Sequence, residues 1–484
     1  MRDETLQEVT NVTPARRAGG QAGRVLEPGR NCWRLAHAHR AKVLIDACNY
    51  YACLEQALRR ARRSILIVGW DFDGRIQLCP NREGCPPLGK FLRELVEQRP
   101  ELEVHVLVWS AAVVHAGSAA MPLLLGASWE DHPRITLRLD QHHPLYASHH
   151  QKLVAVDDAI AFVGGIDLTV ERWDTCAHSH ADRLRHGPDG SAYRPVHDVQ
   201  MVVDGEAARC VAEVARERWR DAIGESLSVP DVDNDLWPAD LAPDFTDVPV
   251  AIARTAPEWD GSPGVREVAA LTDDILAAAR TSIYIETQYF AADCVRSFLE
   301  QSLAAKQGPE IVVIVKQAAD GKLEQLVMGN NRDRLIRDLR QADRHNRLRV
   351  FYPVVAGDDE PCEVLVHAKV AIVDDEILRI GSSNLNNRSM GLDTECDLAI
   401  EAANDEMRHT IAGLRAQLLA EHLDCSPEEI AKAIAECGSL IRAIESCNRS
   451  TRGLRPFTET DLDGPTDPIT GTGLLDPKRP LELL

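Results

Sequence analysis

Apolar and polar positions along this chain fall into a short series of blocks. Leu54 to Arg63 (LEQALRRARR) places its apolar residues at helical spacing beside a strong polar face. SILIVGWDFD (64–73) follows as a continuous apolar run ending in polar and aromatic residues, as a buried strand does. LEVHVLVWS (102–110) and ITLRL (135–139) are further strand candidates. KLVAVDDAIAFVGG (152–165) is two short apolar runs broken by an Asp-Asp turn signal, which predicts a hairpin.

The second half repeats this order. LTDDILAAARTSIYIETQYF (271–290) matches the first helix and strand, and EIVVIVK (310–316), LRVFYP (348–353) and KVAIVDDEILRIGS (369–382) follow. From Ile65 to His150 is 85 positions and from Ile283 to His367 is 84, so one module is duplicated; its length excludes short-repeat solenoids. The expected fold class is α/β: two similar lobes, each a central mixed β-sheet flanked by helices, related by a pseudo-twofold with the active site at the lobe interface. Residues 1–30, polar and rich in Gly and Arg, form a flexible leader. The join falls near 225–255, where Pro and Asp are dense. Residues 426–448 predict a capped helix or two, with Ser426 and Glu429 spaced for a capping box, and an extended tail begins at Arg452.

Composition narrows the class. At 484 residues the chain exceeds one ordinary core, and 44% apolar content is that of a globular protein. The net charge of −21 suits general phosphate-backbone binding poorly, so nucleic acid is an unlikely partner. The 13 cysteines are odd in number and scattered, with no C-x-x-C pair, and read as reduced thiols. The N-terminal stretch has no apolar signal region, and no run reaches the roughly 18 apolar residues of a spanning helix. These features point to the cytoplasm, with peripheral contact at a membrane left open. AAVVHAGSAAMPLLLGASW (111–129) reads as a core-packed helix, with a dip into a lipid interface as the second reading.

The chemistry lies in a frame that occurs twice: His150, Lys152, Asp157 and His367, Lys369, Asp374. On a strand, His and Lys two positions apart point to one face, which Val154 and Val156 continue in the first copy. Such a pair suits an anionic group, the lysine supplying charge and the imidazole a nucleophile or a proton near neutral pH. Two copies converging across a twofold suit metal-free phosphodiester chemistry: one imidazole attacks phosphorus, the other serves as acid and base, and the lysines stabilise the non-bridging oxygens. Gly381, Ser382 and Asn384 follow the second frame as neutral donors to those oxygens, with glycine allowing close backbone approach. One such frame arises by chance; two at matched positions do not. QHHPLYASHHQK (141–152) invites a metal reading, but no carboxylate or Cys stands at ligand spacing, so His142, His143 and His149 are loop or pocket-wall residues. No metal or other cofactor is expected.

The paired frames, each followed by Gly-Gly or Gly-Ser and then Asp or Asn, resemble the phospholipase D superfamily over roughly 35–425. AFVGGIDLTVERWD is similar to its two-motif phospholipases, and IYIETQYF to the strand opening their second half. The resemblance implies a first lobe at 31–235, a second at 250–425 and a C-terminal segment at 426–484. It implies His150 as nucleophile and His367 as acid and base, with Lys152, Lys369, Ser382 and Asn384 binding phosphate. It also implies a carboxylate behind each histidine, positions matched by Asp198 and Glu395. Asp157 and Asp374 would hold the motif turns. Gly164, Gly165 and Gly381 belong to the motif, and Asp167 stands where the second half has Asn384, so it would anchor a loop rather than face phosphate. Trp70, Asp71, Asp73, Gln288, Tyr289 and Phe290 end the matched strands and either line the pocket or pack.

The implied activity is hydrolysis of a glycerophospholipid to phosphatidic acid and a free head group through a phosphohistidine, with transfer to an alcohol as a variant, in a monomer. A cardiolipin-synthase-like phosphatidyltransferase uses the same residues, although no N-terminal spanning helices are seen. A nuclease or other phosphodiesterase would favour a basic groove. A non-catalytic scaffold would be expected to have lost a histidine, and neither is lost. An effector delivered to other cells would share the chemistry.

Overall fold

The computed structural model describes residues 24–110, 129–144, 146–232, 234–317, 329–458 and 476. Residues 1–23 of the expected leader, 111–128 of the apolar stretch and most of the tail lie outside the described residues. The first half contributes β1 (Arg34–Ile45), β2 (Ser64–Gly69), β3 (Glu103–Trp109), β4 (Ile135–Asp140), β5 (Leu153–Val156), β6 (Ile160–Gly164) and β7 (Val199–Asp204). The second contributes β8 (Phe245–Ala256), β9 (Ser282–Thr287), β10 (Glu310–Val315), β11 (Leu348–Val355), β12 (Lys369–Val373), β13 (Ile377–Gly381) and β14 (Glu395–Glu401).

Hydrogen bonding orders the first set β4-β3-β2-β5-β6-β7-β1, with β2, β3 and β4 parallel and the other pairs antiparallel. The second set runs in the same order, β11-β10-β9-β12-β13-β14-β8. The chain is therefore α/β with a duplicated mixed sheet. The two sheets are joined: β1 pairs antiparallel with β8 from Arg34↔Ile252 to Ala41↔Phe245. The join is accordingly shorter than its Pro and Asp content suggests. Helix α3 (Gly205–Ile223) stops at Gly224, in the left-handed region at φ 80°, and β8 begins at Phe245.

Faces are assigned by the alternation of the strands. In β2, Ile65 and Ile67 join a core with helices α1 (Asp46–Arg60) and α2 (Leu88–Gln98), while Leu66 and Val68 face a core that contains α3. In β9, Ile283 and Ile285 face a core with α4 (Glu267–Ala278) and α5 (Asp293–Ala304), while Tyr284 faces the core shared with the first half. Strand β2 is buried at every position but Ser64 and β9 at all six, which explains their unbroken apolar runs. Helix α1 starts eight residues before the predicted Leu54, because Asp46 at φ 63° turns the chain directly out of β1.

The C-terminal segment folds as helices 427–437 and 440–447, the first capped by the reciprocal Ser426–Glu429 box. Beyond them, Gly453–Pro456 at the start of the expected tail is extended and pairs as a strand with β11, and Phe457 is fully buried. Among the described residues no helix is long and apolar enough to cross a membrane.

Candidate active site

Both His-x-Lys frames stand where β5 and β12 begin. The i, i+2 geometry folds each lysine back over its own histidine: Lys152 Nζ donates to the His150 carbonyl at 3.2 Å, and Lys369 Nζ to that of His367 at 2.5 Å. Short cross-pairings then bring the frames together. Leu365–Val366 runs parallel to Val196–His197, and the His367 N–H donates to the His197 carbonyl at 2.8 Å. In the mirror position, His149 bridges Thr394 and the His150 N–H donates to the Thr394 carbonyl at 3.1 Å.

That register gives each histidine a carboxylate from the opposite half. His150 Nδ1 lies 3.0 Å from both carboxylate oxygens of Glu395, 245 residues away in sequence. His367 Nδ1 lies 2.7 Å from Asp198 Oδ2, 169 residues away. A proton on Nδ1 donated to the carboxylate leaves the Nε2 lone pair free. Burial, reinforced by the neighbouring lysines, holds both imidazoles well below their ordinary value, so they stand neutral. Burial pushes Lys369 down to about 7 against the pull of Asp198, and raises Asp198 to about 7 against the pull of Lys369.

The two dyads differ in their support. Ser382 Oγ donates to Glu395 Oε2 at 2.5 Å, whereas Asp198 Oδ1 accepts from the Val199 N–H at 2.7 Å. This corrects the reading of Ser382 as a phosphate donor: its one hydroxyl proton is committed to Glu395. Asn384 stays buried with its Oδ1 unpartnered. Asp167 pairs with Lys152 at 3.1 Å and accepts from the Trp70 N–H at 2.9 Å, which ties the end of β2 to the motif. Lys369 has the neutral Gln288 Oε1 at 3.3 Å instead, so the two lysines meet an incoming anion with different compensation.

The motif glycines serve packing. A Cβ on Gly165 would lie 2.1 Å from Asp198 Oδ1, one on Gly381 1.9 Å from Asp397 Oδ1, and one on Gly164 2.4 Å from the Val199 carbonyl. Gly381 is thus needed for the approach of β14, not for that of a phosphate. Asp157 and Asp374 sit at φ 51° and 55° in the hairpin turns. The Asp157 carboxylate accepts from the N–H groups of Arg62, Arg63 and Ser64, and that of Asp374 from Arg280, Thr281 and Ser282. Each clamps the start of β2 or β9 within its own half.

The other strand-end residues divide. Asp71 accepts from Thr169 Oγ1, Asp73 pairs with Arg75, and Phe290 is fully buried. Trp70 stacks on Trp109 at 5.6 Å, and Lys316 Nζ lies 4.8 Å from the Tyr289 ring centre. His149 is buried, with Nδ1 3.0 Å from Thr394 Oγ1 and a value lowered by burial to about 3; His143 Nε2 accepts from Trp109, and His142 lies edge-on to Trp259.

Two features escaped the sequence reading. Arg172, within ERWD, lowers the His367 imidazole by its charge and has a buried Nε without a hydrogen-bond partner. Asp46, His178, His197, Glu286, Glu421 and His422 gather from five separate segments into a buried cluster beside Asp198. The HD pair at 197–198 was its single local signal.

The comparisons with known proteins agree with this geometry. A family model described as "Phospholipase D" matches residues 130–241, and one described as "Cardiolipin synthase, PLD-like domain" matches 273–414. Phospholipase D A of Dictyostelium discoideum is 24% identical over 80% of this chain, which spans only 36% of that relative. Phospholipase D alpha 1 of Carica papaya is 25% identical over 79% of this chain and 65% of its own length. The crystal structure of phosphatidylserine synthase from Haemophilus influenzae Rd KW20 shares the fold with a TM-score of 0.54 at 14% identity, covering 86% of this chain and 98% of the other. With a motif and a matching family model in each half, and both histidines facing one another's carboxylates, the chain belongs to the phospholipase D superfamily.

Proposed function

We propose that this chain is a phosphodiesterase that hydrolyses glycerophospholipids to phosphatidic acid and free head group. The observation that carries the reading is the pair of imidazoles, each backed by a carboxylate of the opposite half, with a buried lysine beside each. His150 Nε2 attacks phosphorus while its Nδ1–H donates to Glu395, whose charge the Ser382 hydroxyl supports. The P–O bond to the head group breaks as the P–N bond forms, and His367 protonates the departing oxygen with the extra proton that its dyad holds while Asp198, raised to about 7, is protonated. Water then loses a proton to His367 and attacks phosphorus, and the P–N bond breaks. Lys152, Lys369 and the Asn384 amide carry the non-bridging oxygens. An alcohol in place of water gives phosphatidyl transfer. The more strongly supported carboxylate, Glu395, is the reason for placing the nucleophile at His150.

The lipid would be reached from the membrane surface, by a monomer whose duplicated frames complete one site. The 13 free cysteines fit a reducing compartment such as the cytoplasm. A cardiolipin-synthase-like transferase is the second reading, favoured by the description of the family model over 273–414. The net charge of −21 weighs against a nuclease.

Product analysis by mass spectrometry on a phospholipid panel with added ethanol tests the proposal. Phosphatidic acid and phosphatidylethanol from the wild type, absent with His150→Ala and His367→Ala, are expected. Cardiolipin formed from phosphatidylglycerol would move the assignment to the synthase. No turnover of any lipid would overturn it.

A further inference from the structure

We propose that Asp46, His178, His197 and Glu421 form a structural zinc site that fastens the two halves together behind the Asp198–His367 dyad. The geometry is that of a ligand set. Glu421 Oε1 lies 2.9 Å from His178 Nε2 and 2.7 Å from His197 Nδ1. Asp46 Oδ1 lies 3.2 Å from His197 Nδ1, and Asp46 Oδ2 lies 3.7 Å from His178 Nε2. Donors about 2.0 Å from a tetrahedral zinc ion stand about 3.3 Å apart, which these separations bracket. Two imidazoles and two carboxylates are a zinc-type donor set, and the carboxylates balance the dication.

The surroundings match what metal-bound histidines require. Each imidazole spends its other nitrogen on its own carboxylate: His178 Nδ1 on Asp174 Oδ2 at 2.9 Å, and His197 Nε2 on Glu286 Oε2 at 2.8 Å. Arg185 in turn holds Asp174, and His422 and the Tyr284 hydroxyl hold Glu286. These contacts set the tautomers so that the lone pairs of His178 Nε2 and His197 Nδ1 point into the cluster.

An independent observation also points to a ligand. Asp46 is fully buried, and its Oδ2, facing His178, has no hydrogen-bond partner. Without a cation, Glu421 Oε1 would need a proton from both imidazoles, making two buried imidazoliums and still leaving Asp46 Oδ2 unsatisfied. A cation meets all three demands with neutral histidines. A cleft of about 770 Å³, lined by Ile45, Asn49, Cys176 and Glu421 among others, reaches the cluster at Glu421.

The position assigns the role. The Asp46 N–H donates to the Asp198 carbonyl at 2.8 Å, and the His197 carbonyl accepts from His367. Three ligands belong to the first half, whereas Glu421 lies on helix α6 (Asp405–Leu423) of the second. The ion would fix the segment carrying Asp198 against the element opposite it. Four protein ligands leave no open position, so the ion takes no part in bond making.

Metal analysis of the full-length protein tests this without reference to lipid turnover. Protein expressed with zinc and dialysed against a weak chelator is expected to retain about one zinc per chain. Asp46→Asn, which tolerates the φ of 63°, and His178→Gln should each bring this below about a tenth. His37→Ala with His39→Ala, removing the exposed His37–His39–Asp247 group, should leave it unchanged. On the wild type, a strong chelator should lower the Tm and zinc, but not magnesium, should restore it; this arm stands even if the variants fail to fold. Folded wild type with no zinc and a chelator-insensitive Tm would overturn the proposal, as would zinc that follows His37 and His39.

Discussion

Raising the pH through neutrality should disarm the site at Lys369. Its ammonium is buried among Lys152, Arg172, Asp198 and Glu395, and burial brings it to about 7 from an ordinary 10.5. A lysine is charged below its pKa, so its attraction for phosphate is present at pH 6 and lost as pH rises through 7. The charged fraction falls from about nine-tenths at pH 6 to about one-tenth at pH 8, so this group alone should lower kcat/KM about tenfold over that interval. The imidazoles, held well below their ordinary value, add no opposing limb there, and Asp198, raised to about 7, loses the dyad's extra proton over the same interval and steepens the fall. kcat should fall less, because a bound phosphodiester anion raises the lysine again. Head-group release from a phospholipid without a titrating head group, followed by mass spectrometry from pH 5.5 to 9, reads both parameters. Lys369→Met should be much less active and keep only the shallower fall from Asp198, and Lys369→Arg should likewise show the shallower fall. A wild-type kcat/KM level to pH 9, or a limb in Lys369→Met as steep as that of the wild type, would refute the reasoning.

Three further outcomes follow from the same geometry. Asp198→Asn and Glu395→Gln should each keep the fold by circular dichroism and lower kcat by about 10²- to 10⁴-fold, since the amide no longer supports an imidazolium. Gly165→Ala places a Cβ 2.1 Å from Asp198 Oδ1 and should destabilise by about 1–3 kcal/mol in urea titration while displacing the dyad. Asp157→Ala strips an acceptor from three backbone N–H groups and should lower stability by about 3 kcal/mol, with kcat per folded molecule close to wild type.

The legible part of this protein was the part governed by local geometry. Strands β2 and β9 announce themselves because both faces are covered, and the hairpins because Asp157–Asp158 and Asp374–Asp375 accept positive φ. Strands β1 and β8 did not: RLAHAHRAKVLI mixes polar and apolar residues, and the start of β8 lies in a stretch whose Pro and Asp content signals a loop. Ser382 was recognisable as a donor, but only the sheet shows that Glu395, thirteen residues on, takes its proton.

From sequence alone came the duplication, the fold class and the paired histidines and lysines, because strand alternation puts His and Lys on one face wherever the module folds; the two carboxylates came only through the family resemblance. The tertiary structure decided which carboxylate serves which histidine. Nothing local distinguishes Asp198 behind His150 from Asp198 behind His367; the pairing of Val196–His197 with Leu365–Val366 does. It also decided the protonation states, which depend on burial and on charges brought from the other half. The Asp46–His178–His197–Glu421 cluster is the extreme case: its members come from unrelated stretches of chain, and only the meeting of the two halves gives them a common centre.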